Sequence, residues 1–257
     1  MGFLSSMRKR ARRRAARNRE KAFIAETIQA SLSDLTVRHG PFKGMKYPRA
    51  ASVGSTLYPK LLGSYESELH DIISRIRGTH YSDVVDVGCA EGYYAVGFGV
   101  HMPAATLYAY DTNSRALGLC REMARLNGID DERLRLGAFL DNAELHSLPL
   151  GPRALIVSDC EGYEKELFKP DSPGVLANHD VLVEAHDMID IHISGYLKGI
   201  FEATHDLTVV SSVDDIHKAQ RYEYPELDGF SLPERKVLLS EGRASAMEWL
   251  FFQARAH

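Results

Sequence analysis

The stretch VVDVGCAEGYYA, Val84 to Ala95, is followed nineteen residues after Gly92 by Asp111, the acid that ends LYAYD. Val84, Val85 and Val87 are a β-branched run of the kind expected in a strand covered on both faces. Gly88, Ala90 and Gly92 then let the backbone come close to a ligand where a helix begins. Asp111 ends the following strand and can accept two hydrogen bonds from a ribose diol. A buried strand, a small-residue loop and an acid at the next strand end together predict a site for an adenosine-containing cofactor. A dinucleotide reading requires G-x-G-x-x-G, and here Ala90 and Tyr93 occupy the second and third glycine positions. The loop therefore does not predict hydride transfer.

Outward from this stretch, apolar runs and helical periodicities alternate. The strand candidates are Val84 to Val87, Thr106 to Tyr110, Leu134 to Ala138, Ala154 to Ser158, Val181 to Ala185, Leu207 to Ser211 and Trp249 to Ala254. The helix candidates between them are Tyr94 to Val100, Ser114 to Asn127, Glu164 to Lys169 and Gly195 to Thr204. Crossover helices between seven strands imply an α/β, doubly wound, Rossmann-like seven-stranded sheet, with ligands outside the carboxyl ends of its strands. Upstream, Phe23 to Leu35 and Tyr65 to Ile76 carry apolar residues at helical spacing. The segment between them is punctuated by Gly and Pro, as are segments that lie across binding clefts. The division expected is a basic tail over 1–22, a helical and irregular cap over 23–80 and a cofactor-binding domain over 81–257. The stretch Asp214 to Ser245 reads as a loop-rich, substrate-facing lid.

The net charge of −4 conceals an asymmetry. Residues 1–21 hold nine Arg or Lys and one acid, which leaves 22 basic against 34 acidic residues in the rest, a tail of +8 on a body of −12. With almost no apolar stripe, RKRARRRAARNREKA reads as a solvated or disordered extension, or as a contact for anionic lipid, nucleic acid or an acidic partner. No apolar run approaches the roughly 18 residues of a spanning helix, and no signal peptide is recognisable, so a cytoplasmic location is expected. Cys89, Cys120 and Cys160 lack metal or disulfide spacing and are expected to be reduced.

A second constellation lies at the fourth and fifth strand ends. SDCEGYEKELF places Asp159 and Glu161 beside a glycine turn, with Glu164 following, and VLVEAHD places Glu184, His186 and Asp187 one strand later. Ionisable groups gathered at such an edge predict function, because buried charges are costly unless paired.

The glycine loop and Asp111 resemble the first two motifs of class I S-adenosylmethionine-dependent methyltransferases. DCEGYEKEL resembles the D-x-E-G-x-E-x-x-L signature of the FkbM-type members, and GSYESEL, Gly63 to Leu69, is similar to a G-x-Y-E-x-E-L segment that several of them carry. The resemblance covers roughly Leu61 to Ala254, with Ala90 replacing a middle glycine and Cys160 an aliphatic residue. It implies an antiparallel last strand and O-methylation of a sugar or natural-product hydroxyl, hence a small-molecule or glycan acceptor. The cofactor-binding candidates are Asp86, Gly88, Ala90, Gly92, Asp111, Phe139 as an adenine-stacking face, and Tyr65 and Glu66 over the methionine end. The catalytic candidates are His186, Asp159 and Glu184. His186 is the first choice of base, because imidazole titrates near neutral pH, with Asp159 either orienting His186 or taking the proton itself. The same three side chains are candidate ligands for Mg or Mn. His217, Arg221, Tyr222 and Tyr224 are candidate acceptor contacts.

The rival reading is a nucleic-acid methyltransferase using the basic tail for phosphate contacts. Ser-Asp-Cys stands where a base-amine enzyme carries Asn/Asp-Pro-Pro-aromatic, and no Pro-Cys pair offers a thiolate. A cofactor-binding scaffold without turnover is the third class.

Overall fold

The computed structural model describes residues 2–243 and 245–255; residues 1, 244, 256 and 257, which the sequence reading assigned to the tail, the lid and the last domain, lie outside the described residues. The strands are β1 Asp83–Val87, β2 Thr106–Tyr110, β3 Leu134–Gly137, β4 Ala154–Ser158, β5 Asp180–Ala185, β6 His205–Ser211 and β7 Glu248–Ala254. They form one seven-stranded sheet in the order β3-β2-β1-β4-β5-β7-β6. The first five strands run parallel, and β7 pairs antiparallel with both β5 and β6. Every residue of β1, β4 and β5 is buried. Their apolar side chains meet cover on both faces, as continuous Val, Ile and Leu runs require.

The helices are α1 Gly2–Ser31, α2 Leu57–Leu62, α3 His70–Arg77, α4 Tyr93–His101, α5 Ser114–Leu126, α6 Asn142–Ser147, α7 Glu164–Leu167, α8 Ser172–Val175, α9 Ile193–Phe201, α10 Asp215–Arg221 and α11 Leu232–Leu239. Local chemistry sets several of their starts. Asn113 accepts from the amides of Arg115 and Ala116 at the head of α5, and Ser231 and Glu234 form a reciprocal capping box at α11. One core on the α4–α5 face unites Ile28, Leu32, Phe42, Tyr58 and Leu69 with Phe98 and Trp249. The other face is filled by residues such as Phe168, Leu197, Phe201 and Phe252. The N-terminal cap is thus packed on the sheet's own core.

Three expectations change. The basic stretch is helical, part of the 30-residue α1, with its cations from Lys9 to Lys21 exposed and the chain anchored downstream by Ile28 and Leu32. Tyr65 and Glu66 lie in a turn, not in a helix. Glu66 has φ +47 and is followed by a 3-10 turn, Ser67–Leu69, before α3 begins. The supposed lid contains α10 and α11, the former capped by Asp214. Lys218 of α10 is fully buried against Glu241. The helices are only seven and eight residues long and are joined by an irregular stretch that contains Pro225 and Gly229, which disguised them as loop, while Phe230, just before α11, packs edge-on to Phe23 and fixes the region to the body.

Candidate active site

Parallel register sets the ends of β1, β2 and β4 level, with Val87 opposite both Tyr110 and Ser158. The chain leaves β1 through Gly88 at φ +85, Ala90 at φ +48 and Gly92 at φ +97. A Cβ on Gly88 would lie 1.8 Å from the Asp159 carbonyl oxygen, so only glycine lets the loops after β1 and β4 touch backbone to backbone. Gly92 supplies the turn into α4. Asp86, buried at the end of β1, accepts from the Ala95 amide at 2.8 Å; burial pushes its carboxyl up to about 7 although that hydrogen bond works the other way. Asp111 accepts from the amides of Ala90 at 2.9 Å and Asn113 at 2.7 Å, which fixes its carboxylate beside the glycine loop.

These groups line a cavity of about 670 Å³, within the range of roughly 300–1,000 Å³ typical of small-molecule sites. Asp86, Gly88, Ala90, Asp111, Phe139 and Tyr65 form part of its wall, and Asp159, Glu184 and His186 another part. Phe139 is 52% exposed, with its ring 5.2 Å from that of Tyr163, so it offers a flat face at the rim. The structure does not bring every candidate to the wall. Gly92 and Glu66 stand behind it, and His217, Arg221, Tyr222 and Tyr224 lie away from it. His217 pairs with Asp214 of its own helix cap, and the Tyr224 ring packs 5.1 Å from His39.

At the ends of β4 and β5, His186 Nδ1 lies 2.5 Å from Glu164 Oε1. Its Nε2 faces Asp159 and Glu161, each at 3.5 Å, and Glu184 at 3.8 Å. Burial opposes charge on His186, but the Glu164 hydrogen bond and the fields of Asp159, Glu164 and Glu184 prevail and push the imidazole up to about 9. Asp159 rises to about 7 through burial first and then the field of Glu66. Glu184 also rises to about 7, through burial and then Asp159, with Arg243 opposing. Asp159, Glu184 and His186 each present one ligand atom within 4.8 Å of the others, and Asp159 Oδ1 is buried without a hydrogen-bond partner. With Nδ1 engaged by Glu164, Nε2 is the ring nitrogen aimed into the cluster, an arrangement suited to a metal-binding histidine.

Sequence reasoning missed a buried ion network that closes the cavity from behind. Arg243 meets Glu66 at 2.5 Å, Glu241 at 3.0 Å and Glu184 in a shorter contact. Glu241 also accepts from the Glu66 amide at 2.9 Å. A single Gly-Arg in EGRAS carries no local pattern that would reveal this. Lys60 was missed as well: it is 3% exposed, lines the cavity and pairs with Glu91 at 2.6 Å. Left-handed backbone was a signal that sequence could not show. Ala90, Glu66 and Glu161 are three of the four described non-glycine residues with positive φ, and all three border the site.

No protein-family profile matches the chain. A curated relative, release factor glutamine methyltransferase from Deinococcus radiodurans, is 35% identical over 91 residues, which are 35% of this chain and 30% of that protein. This chain therefore spans under a third of the length of the curated relative it matches. Among solved structures, a precorrin-6y C5,15-methyltransferase from Geobacter metallireducens is similar at 13% identity, with 74% of this chain and 88% of that chain covered and a TM-score of 0.47. An rRNA methylase from Streptococcus thermophilus is similar at 12% identity, with 73% and 97% covered and a TM-score of 0.47. Such scores add nothing to the strand order, which the chain itself displays. The α/β sheet with its antiparallel last strand has the class I methyltransferase arrangement.

Proposed function

We propose that this chain is an S-adenosylmethionine-dependent methyltransferase of the FkbM kind that methylates a hydroxyl of a sugar or natural product. The observation that carries this reading is a single cavity with Asp111 and the glycine loop at one end and the Asp159–Glu184–His186 cluster at the other. The residues fit the cofactor: left-handed backbone at Gly88 and Ala90 opens a cradle, and Asp111 keeps a carboxylate beside it for the ribose. Bound there, S-adenosylmethionine supplies an electrophilic methyl group on a positively charged sulfur.

The chain's own work is alignment and proton removal. Asp159, with a pKa brought near neutral, would take the acceptor's proton as the methyl group passes to the acceptor oxygen and the sulfur keeps the bonding pair of the broken sulfur–methyl bond. His186, held by Glu164, stays positively charged at pH 7 and steadies the oxygen that is losing its proton. This exchanges the roles that titration of an isolated imidazole suggests, because four carboxylates surround the ring. With the imidazole deprotonated at Nε2, the cluster also fits a divalent cation of the Mg or Mn kind; Asp159, Glu184 and His186 would hold it in place of the proton, and it would acidify the acceptor hydroxyl. Arg243 and Glu241 close the cavity behind the acceptor.

No helix among the described residues is long and apolar enough to cross a membrane, and we place the activity in the cytoplasm. The exposed cations of α1 favour a second reading, methylation of RNA. Incubation with S-adenosylmethionine and a panel of sugars, polyols and RNA, with magnesium or with EDTA, separates these readings by mass spectrometry. A 14 Da gain on a polyol or sugar hydroxyl supports the first. Methylated RNA alone supports the second, and cofactor binding without any product defeats both.

A further inference from the structure

A lysine sealed inside a cofactor cavity needs a reason, since burying an ammonium is costly unless it is paired. Lys60, on α2, gives one N–H to Glu91 Oε1 at 2.6 Å and another to Ser52 Oγ at 3.2 Å. Its third N–H has no oxygen or nitrogen acceptor among the described residues, and the ammonium sits 4.9 Å from the centre of the Tyr65 ring and 5.4 Å from that of Tyr93. Glu91 belongs to the glycine loop itself. Its carboxylate also accepts from Ser52 Oγ and from the Val53 amide, both at 2.8 Å. One side chain under the cofactor site thereby ties down the lysine and the segment, Val53 to Ser55, that forms the adjacent wall.

The other cations on the cavity wall are already committed to carboxylates. Arg243 holds Glu66, Glu184 and Glu241, and His186 holds Glu164 and faces Asp159. Lys60 differs in having a single carboxylate partner, Glu91, and keeps its third N–H for an incoming anion. Asp86 is its counterpart: one carboxylate oxygen accepts from Ala95, and the other has no hydrogen bond among the described residues. Both groups line the same cavity, and the Lys60 ammonium is among the influences that oppose the rise that burial gives the Asp86 carboxyl.

We propose that Lys60, positioned by Glu91, receives the carboxylate of the cofactor's amino-acid end while Asp86 receives its ammonium, so that the site selects adenosyl thioethers carrying an intact amino acid. The assignment rests on the S-adenosylmethionine reading. A bound zwitterion brings opposite charges to opposite partners and adds no net charge to a buried site. Glu91 acts through Lys60 and is a positioning residue.

The test is calorimetric titration of the full chain with S-adenosylhomocysteine and with its decarboxylated analogue, 5′-(3-aminopropyl)thioadenosine, which lacks the carboxylate alone. Losing one charge-assisted contact should weaken binding to the wild-type protein by about 30-fold. Lys60→Met should weaken S-adenosylhomocysteine to a similar extent and leave the analogue within about threefold of its wild-type affinity, while Lys60→Arg restores part of the difference. Glu91→Gln should narrow the gap between the ligands. Equal affinities for the two ligands in the wild type overturn the assignment without any variant having to fold. So does a Lys60→Met protein that weakens both ligands equally. Failure of both ligands to bind well-folded wild type defeats the cofactor reading and this assignment with it.

Discussion

On the β1–β2 side the cavity is shaped by backbone, whereas on the β4–β5 side it is shaped by charge. The first side consists of Gly88, Ala90 and Gly92 in left-handed conformations and of carboxylates, Asp86 and Asp111, that accept from nearby main-chain amides. Its geometry is set within some thirty consecutive residues. The second side gathers Glu66, Asp159, Glu184, His186, Glu241 and Arg243 from segments that meet only in the folded sheet. A site that must cradle one unchanging cofactor can be made of local turns. A site that moves a proton needs opposed charges, and those are held by tertiary structure alone. Gly88 against the Asp159 carbonyl is where the two sides touch.

The sharpest way to separate the two sides is Asp159→Asn. Loss of a general base should lower kcat by about 10²–10⁴-fold, while S-adenosylhomocysteine affinity changes by less than about threefold in calorimetry. Loss of cofactor binding in that variant would show that the sides are not separable.

Arg243→Met should be the largest purely structural break. It leaves Glu66, Glu184 and Glu241 without their shared cation, and breaking a buried ionic network in this way costs about 3 kcal/mol or more, readable as a lower urea midpoint. The glycine loop should keep its hydrogen bonds to Tyr110.

Acidity gives the next contrast. Asp86, Asp159 and Glu184 at about 7 and Glu66 at about 8 all hold protons more tightly than ordinary carboxylates, chiefly because they are buried. The folded chain therefore binds more protons than the unfolded chain between about pH 4 and 8, and stability falls as pH rises through that window. His186, raised to about 9, adds stability that is complete below about pH 6.5 and lost on passing 9. Both terms have the same sign. The melting temperature should fall by several degrees from pH 5.5 to 9, and His186→Gln should flatten the upper part of that slope. Activity should show a bell with limbs near 7 and 9, set by Asp159 and His186 respectively.

Ala90→Gly is the mildest test. An alanine at φ +48 pays a left-handed cost of about 1 kcal/mol that glycine avoids, so the variant should melt up to about 3 °C higher. Cofactor affinity should remain nearly unchanged. A marked loss would mean that the Cβ of Ala90 itself touches the ligand.

The contrast also explains how far the sequence could be read. Valine runs, a glycine-rich loop and alternating periodicities identified all seven strands to within two residues at either end, because those signals are local. The acids and histidine of SDCEG and VEAHD could be placed at the carboxyl edge for the same reason. What could not be read was pairing across long separations. Arg243 lies 177 residues from Glu66 and 59 from Glu184, and its loop carries no periodicity. The short helices α10 and α11 were hidden by their length and by the irregular stretch between them, and burial of residues such as Lys218, Leu227, Leu238 and Leu239 shows that the region is packed. The roles of Asp159 and His186 depend on mutual fields, which composition alone does not reveal.

The most direct test of the account is calorimetry with S-adenosylhomocysteine on wild type, Asp111→Ala and Asp159→Asn side by side. Wild type should bind with micromolar affinity, removing the Asp111 carboxylate that receives the ribose should cost about 100-fold or more, and Asp159→Asn should retain binding. Absence of binding by folded wild type, or equal loss in both variants, would contradict the account.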